Sequence, residues 1–297
     1  MKKIVLVLLI FPALLVAQAG STGLALLKIG IGGQGAALGE SVVAGDNGAL
    51  ATYWNPAGLA NAQDEIVFGH SEWLQDVSYE FIAMKFNGYG ASWGLLLQVQ
   101  NVEKIMHRTK ATAEPLSTFS EHEIVTGLSY ARSLNSDLSV GATAKFISER
   151  HFSYVSKGAA LDLGAQYKLN QIKGVELGAS VHNLGKLSEL RDEPTKLPAL
   201  FRAGLSYAPD AKIMQANMRV LAGFTKIFDN DSFAGFGLEA VAKNVLALRL
   251  GYQAGREAQS VTGGVGIIFN RYQFDYAYVP FSFDLGDTHR LSFTLVL

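Results

Sequence analysis

The chain has 297 residues, of which 49% are hydrophobic and only 17% charged, with 31 glycines, 17 Phe, 11 Tyr and no cysteine. Twenty-five basic against 26 acidic residues leave a net charge of −1, so the chain offers nothing to a polyanion and no nucleic-acid partner is expected. Without cysteine, disulfides, thiolate metal sites and a lipid-modified amino-terminal cysteine are all excluded.

Lys2 and Lys3 precede an apolar run from Ile4 to Val16 that ends in Ala17-Gln18-Ala19. This pattern reads as a secretory signal peptide over residues 1–19, cleaved before Gly20. The run falls short of the roughly 20 apolar residues a spanning helix needs, and no second run of that length follows.

From Gly20 to Asp64 the chain is rich in Gly and Ala and lacks the two-residue alternation of strands, which marks residues 20–64 as a separate amino-terminal segment. Gly30-Ile31-Gly32-Gly33-Gln34-Gly35 formally matches the dinucleotide fingerprint. That motif works only inside a βαβ unit, and the remainder here is meandering strand, so close backbone packing is the expectation. Tyr53-Trp54-Asn55-Pro56-Ala57-Gly58-Leu59-Ala60 combines Asn-Pro and Gly with large aromatics, the chemistry of a rigid turn packed ahead of the first strand.

From Glu65 onward alternation takes over. Leu95, Leu97 and Val99 alternate with Leu96 and Gln98; Leu161, Leu163 and Ala165 with Asp162, Gly164 and Gln166; Leu246, Leu248 and Leu250 with Ala247 and Arg249. The end is clearest, with Tyr272, Phe274, Tyr276 and Tyr278 on one face and Gln273, Asp275 and Ala277 on the other. Successive strand side chains point to opposite faces, so each segment has one apolar face and one small or polar face. Glycines at small inward positions suit a lumen and tight turns.

The pattern predicts about fourteen strands, near residues 65–71, 79–86, 90–101, 122–132, 137–148, 157–168, 174–182, 200–208, 216–227, 233–242, 245–253, 261–269, 272–279 and 288–297. Short turns such as Asn87-Gly88 and Asn270-Arg271 alternate with longer connections such as Val102 to Glu121 and Asn183 to Ala199. A soluble antiparallel sandwich would share the strand alternation. The two-sided difference in connection length favours a transmembrane antiparallel barrel over residues 65–297, with lipid outside and a polar lumen inside.

Asp162, Glu176, Arg202, Arg219, Glu239, Arg249 and Asp275 fall on the lumenal faces. Buried charges need partners and both signs are present, so an internal ion-pair network is expected. The six histidines show no metal-site spacing, and no metal or other cofactor is expected. His182 shares a lumenal face with Ser180 and Glu176, which admits a lipid-hydrolase reading, although alternation alone also produces such neighbours.

A Gly/Ala-rich amino-terminal segment ending in YWNPAGLA, followed by strands that close with DYAYVPFSFDLGDTHRLSFTLVL, resembles the FadL-like outer-membrane proteins. Within that group it is most similar to the PorV/PorQ family associated with type IX secretion. The resemblance implies a fourteen-stranded barrel in the bacterial outer membrane, with Trp54, Asn55, Pro56, Ala57 and Gly58 in a hatch folded into the lumen. It implies a non-enzymatic role in protein secretion or surface attachment, with cargo proteins or secretion machinery as partners beside the bilayer and Ile105, Met106 and Leu116 as candidate docking residues. The alternative is uptake of a hydrophobic ligand, such as a long-chain fatty acid, through a plugged lumen. The chain departs from the pattern in being shorter than FadL-type fatty-acid transporters and in ending on Leu297 rather than an aromatic.

Overall fold

The structure, a computed structural model, describes residues 23–45, 47–74, 77–190, 195–228 and 232–297. The signal-peptide reading for residues 1–19 lies outside the described residues. Fourteen strands follow the amino-terminal segment: β1 (Glu65–Glu72), β2 (Val77–Gly88), β3 (Ala91–His107), β4 (Ser117–Ser133), β5 (Leu138–His151), β6 (Tyr154–Lys168) and β7 (Val175–Leu187). The second half comprises β8 (Leu200–Tyr207), β9 (Ala216–Ile227), β10 (Ser232–Ala242), β11 (Leu246–Ala254), β12 (Val261–Phe269), β13 (Tyr272–Pro280) and β14 (Asp287–Val296). Every strand pairs antiparallel with its sequence neighbours, and β1 pairs with β14, from Glu65 against Val296 to Glu72 against His289. Closure leaves no sheet edge, which is the only way a sheet crosses a bilayer. Among the described residues no helix is long and apolar enough to do so.

The faces follow the alternation. Leu248, Leu250 and Tyr252 stand exposed on the outer wall while Ala247 and Arg249 are buried inside. Tyr272, Phe274 and Tyr278 also point outward, and Phe274 packs on Phe293 at 4.6 Å between ring centres. The result is a belt of apolar side chains around the barrel, as a hydrocarbon environment requires.

Several strands run past the expected bounds. The connection expected from Val102 to Glu121 is mostly strand, since β3 runs to His107 and β4 starts at Ser117, leaving only residues 108–116 as loop. A register shift between Val102 and Ile105, with Lys104 at φ 58°, turns the strand over, and Glu103-Lys104 breaks the apolar alternation by which strands are recognised. Likewise β5 and β6 join through Phe152 and Ser153 alone. The contrast between long and short connections is therefore weaker than the sequence suggested, although the strand count is unchanged.

The amino-terminal segment lies inside the barrel. It contains a 3-10 turn at Ala25–Leu27, two short helices, α1 (Gly33–Ala37) and α2 (Ala51–Trp54), and a 3-10 helix at Pro56–Asn61. Leu38, Val43, Trp54 and Leu59 are all buried there. Arginine in place of Leu250, central on the outer face of β11, is expected to cost about 2–4 kcal/mol, as charges at the bilayer midplane do, while Leu250→Phe should be nearly neutral. Unfolding titrations in lipid check this, and equal effects of the two substitutions would contradict the assigned face.

Candidate functional site

The internal segment crosses the wall on a track of glycines. Its residues 37 to 57 pass strands β12 to β5 in order. A methyl group on Gly264 would meet Ala37 at 2.6 Å, one on Gly223 would meet Ser41 at 3.0 Å, and one on Gly204 would meet Val43 at 3.0 Å. Gly251 and Gly235 leave room for Gly39 in the same way, Gly178 for the Val43 carbonyl and Gly164 for Asn55. Several of these glycines are paired across neighbouring strands, Gly235 with Gly223, Gly223 with Gly204, Gly204 with Gly178, and Gly164 with Gly141. Backbone meets backbone here, and any side chain would hold the two apart.

The Asn-Pro turn ends this track. Asn55 Oδ1 accepts from Ala57 N at 3.2 Å and so caps the 3-10 helix, with Pro56 at its first position. Asn55 Nδ2 donates to Val43 O at 3.0 Å and to Ala165 O on β6 at 3.1 Å. A methyl on Gly141 would lie 2.5 Å from Pro56 C. Gly58 donates its N–H to Asn55 O at 3.0 Å, and Ala57 is wholly buried. Trp54 is buried edge-on to Tyr53 at 5.0 Å and fits over Gly30 and Gly35, where a methyl would meet its ring at 2.5 and 2.7 Å. The Gly30 to Gly35 stretch is thus shaped by an indole.

Four of the lumenal charges join in one chain. Arg249 Nε lies 2.6 Å from Glu239 Oε2, Arg249 Nη1 lies 2.6 Å from Asp275 Oδ1, and Arg219 Nη2 lies 3.0 Å from Glu239 Oε1. Register explains it: Glu239 stands directly opposite both Arg219 and Arg249, and Arg249 reaches Asp275 across β12. Glycine makes that reach possible, since a methyl on Gly266 would sit 2.6 Å from Asp275 Oδ1 and 2.7 Å from Arg249 Nη1. The chain also grips the internal segment, through Gln34 Nε2 to Glu239 at 3.3 Å and Arg219 Nη1 to Gly45 O at 3.0 Å.

Arg202 does not join these carboxylates. It donates to Tyr53 O at 3.2 Å and to Tyr53 Oη at 3.1 Å, with its guanidinium 4.8 Å from the rings of Tyr53 and Trp54. Glu176 is half-buried and takes part in no ion pair among the described residues.

Asp162 instead pairs with Lys145, at 2.6 Å. A bulge in β7, where Leu161 faces Leu184 and Leu163 faces Val181, turns both His182 and Asn183 inward onto Asp162. His182 Nδ1 is 3.0 Å from Asp162 Oδ2, and Asn183 donates its N–H to Asp162 Oδ1 at 2.8 Å. Ser180 Oγ is 2.7 Å from His182 Nε2, which gives the distances of a Ser-His-Asp chain, with Asp162 rather than Glu176 as the acid. The serine is 3% exposed and donates to Trp54 O at 3.3 Å, so here the chain fastens the internal segment and presents no free nucleophile.

Lys145, Glu40, Arg256 and Arg290 were not singled out by the sequence. Arg290 is fully buried and donates to Gly30 O at 2.7 Å, and Arg256 pairs with Glu40 at 3.3 Å. Arg290 lies on the lumenal side of the last hairpin, so strict alternation from Ser292 could have found it. Glu40 lies in a segment without period and carried no signal.

Two openings flank the packed lumen. At the end where β1 begins and β14 ends, a cavity of about 270 Å³ is lined by Gln34, Glu65, Arg219, Glu239, Arg249 and Asp275. At the opposite, distal end, one of about 290 Å³ is lined by Ala25, Trp73, Leu74, Val77, Tyr79, Gln100 and Leu285. Trp73 stacks edge-on against Tyr79 at 5.8 Å and Phe281 at 5.4 Å. Among the described residues no group of His, Asp and Glu is placed to hold a metal ion.

A closed strand barrel with an apolar belt, a charged lumen and an internal segment filling that lumen defines a plugged membrane barrel. The chain has the FadL-like outer-membrane fold. It superposes on the TodX deltaS2S3 mutant monoaromatic hydrocarbon channel with a TM-score of 0.65 and 14% identity, over 90% of this chain and 99% of that one. The CymD monoaromatic hydrocarbon channel gives 0.61 and 12%, over 90% and 98%. A Pseudomonas aeruginosa FadL homologue gives 0.50 and 13%, over 88% and 97%. No family model and no curated protein matches the chain, so the narrower PorV/PorQ resemblance is not shown.

Two substitutions probe the packed lumen. Glu239→Ala leaves the buried Arg249 and the half-buried Arg219 short of a partner and is expected to cost about 3–5 kcal/mol in unfolding titrations, more than Glu176→Ala. Gly164→Val has no room beside Asn55 and should dislodge the internal segment, seen as several-fold faster entry of a large antibiotic into expressing cells while the barrel still migrates as a folded species. An unchanged rate would mean that the glycine track does not hold the plug.

Proposed function

We propose that the protein is a bacterial outer-membrane channel through which small hydrophobic molecules are taken up, with residues 23–64 as the hatch that plugs it. The observation that carries this reading is the distal cavity, where Trp73, Leu74, Val77, Tyr79 and Leu285 form an apolar mouth directly above the internal segment. An apolar solute in water gains by burial among such groups, and a folded plug beneath would hold it until the plug shifts. The fold shared with hydrocarbon channels supports the same reading. In this reading the distal end faces outward, because short turns lie on the periplasmic side of such barrels.

The secretion role implied by the PorV/PorQ resemblance would use a different feature, the β3–β4 hairpin. It projects past its neighbours, since β2 pairs with β3 only as far as Val102 and β5 with β4 only as far as His122. Met106 and Leu116 are exposed on it.

Expressing cells should take up labelled toluene faster than cells lacking the protein, Trp73→Ala should slow uptake several-fold, and replacement of residues 108–116 by a Gly-Ser linker should leave it unchanged. Uptake that ignores Trp73, together with an envelope protein recovered only when residues 108–116 are intact, would favour secretion instead.

A further inference from the structure

At and below the distal cavity lie polar groups that a hydrocarbon cannot serve. Gln100 and Gln98 are successive inward residues of β3, facing Tyr79 and Phe81 of β2. Gln100 lines the mouth cavity, and Gln98 lines a smaller space of about 10 Å³ below it, against Leu26, Ile29 and Ile31 of the internal segment. Tyr79 borders both spaces. Gln98 is 1% exposed, and among the described residues neither its Oε1 nor its Nε2 has a hydrogen-bond partner. Gln100 is 7% exposed, and its Oε1 likewise has none.

Buried amides are satisfied in folded proteins, and those that are not mark a water or a ligand. The space beside Gln98 holds about one water-sized group, whereas the mouth above has room for a single aromatic ring, given that a cavity of about 150 Å³ already accommodates benzene. An apolar body in the mouth with one hydrogen-bonding group pointing down the strand fits both spaces at once. The nearby charges have other contacts: Glu123 accepts from Leu26 N at 3.2 Å, and Arg290, beneath Trp73, donates to Gly30 O at 2.7 Å and lies 3.7 Å from Glu40, although its Nε has no partner among the described residues. Arg290 lines neither space, so the unpartnered groups that do are neutral carboxamides, each able to donate and accept.

We infer that this mouth selects compact neutral amphiphiles, a single ring or short chain bearing one hydroxyl or carboxamide, over hydrocarbons of the same shape, with Gln100 and then Gln98 receiving the polar group. The inference rests on the uptake reading and narrows it. A site with unpaired buried polar groups penalises an analogue that cannot pair them, which makes hydrogen bonding the discriminating contact.

The test compares p-cresol with p-xylene, which differ by hydroxyl for methyl. Equilibrium binding is measured to the full chain in lipid nanodiscs, with empty nanodiscs subtracting partition into lipid. Binding of p-cresol on the order of tenfold tighter than p-xylene is expected, which corresponds to a single satisfied hydrogen bond. Gln98→Leu with Gln100→Leu should remove the preference by weakening p-cresol and strengthening p-xylene, with folding checked by heat-modifiable migration. Should that variant fail to fold, the order of affinity across p-cresol, benzyl alcohol, benzamide and p-xylene on the unaltered chain decides alone. Equal or tighter binding of p-xylene overturns the inference and leaves the uptake reading intact. Saturable binding of neither compound overturns both.

Discussion

The contact on which the structure depends is that between the backbone of the internal segment and the glycines of the barrel wall. A fourteen-strand barrel encloses more volume than its own inward side chains can fill, and an aqueous pore results unless something occupies it. Here the described residues from Ala37 to Gly45 and from Asn55 to Ala57 occupy it at van der Waals distance from strands β12 to β5. The wall positions they cross are glycine, so the segment's own carbonyls and α-carbons sit where side chains would stand. Plug and wall are fitted to each other strand by strand, and a side chain at any crossing would push the two apart.

Close packing of this kind leaves many polar backbone groups without water, and the lumenal charges supply their partners. Arg202 takes Tyr53 O, Arg219 takes Gly45 O, Arg290 takes Gly30 O, and Thr262 takes Ala37 O. Carboxylates serve the N–H groups, Glu65 for Ala49 and Glu123 for Leu26. The arginines are in turn offset by a carboxylate or by more than one hydrogen bond, because an isolated ion here would be costly. At the margin the same principle holds: Lys85, buried on β2, bonds Asp64 at 2.9 Å and holds that carboxyl below its ordinary pKa, tying the end of the plug to the wall. The plug is thus held from nearly all sides, and the carboxamides of Gln98 and Gln100 are among the buried polar groups that its packing leaves without a partner.

This arrangement separates the two ends of the barrel. The cavity where β1 begins and β14 ends is lined by the ion-pair chain and is mainly polar, whereas the distal one is largely aromatic and aliphatic. An apolar solute would partition into the second and be repelled by the first. In the proposed uptake reading, passage requires the plug to move, and the ion-pair chain that grips it at Gln34 and Gly45 is part of what such a movement must loosen.

Much of the barrel was legible without coordinates. Period-two alternation gave fourteen strands, their faces and the membrane environment, because in a closed sheet each residue faces lipid or lumen and its chemistry must match. The lumenal positions of Arg249, Glu239 and Asp275 followed from the same periodicity. What the period could not carry was the third dimension. The β7 bulge that sends His182 and Asn183 together onto Asp162 breaks the alternation it would be read from, and the β3–β4 extension lies beyond the bilayer, where no such rule applies. Partner choice was equally hidden: Arg202 belongs to the plug and not to the carboxylates, since cross-strand register and the position of Tyr53 decide which group it meets. The glycines announced a lumen by their number, but only the folded segment lying against them shows that they are a track, because contact between residues far apart in the chain exists only once both are folded.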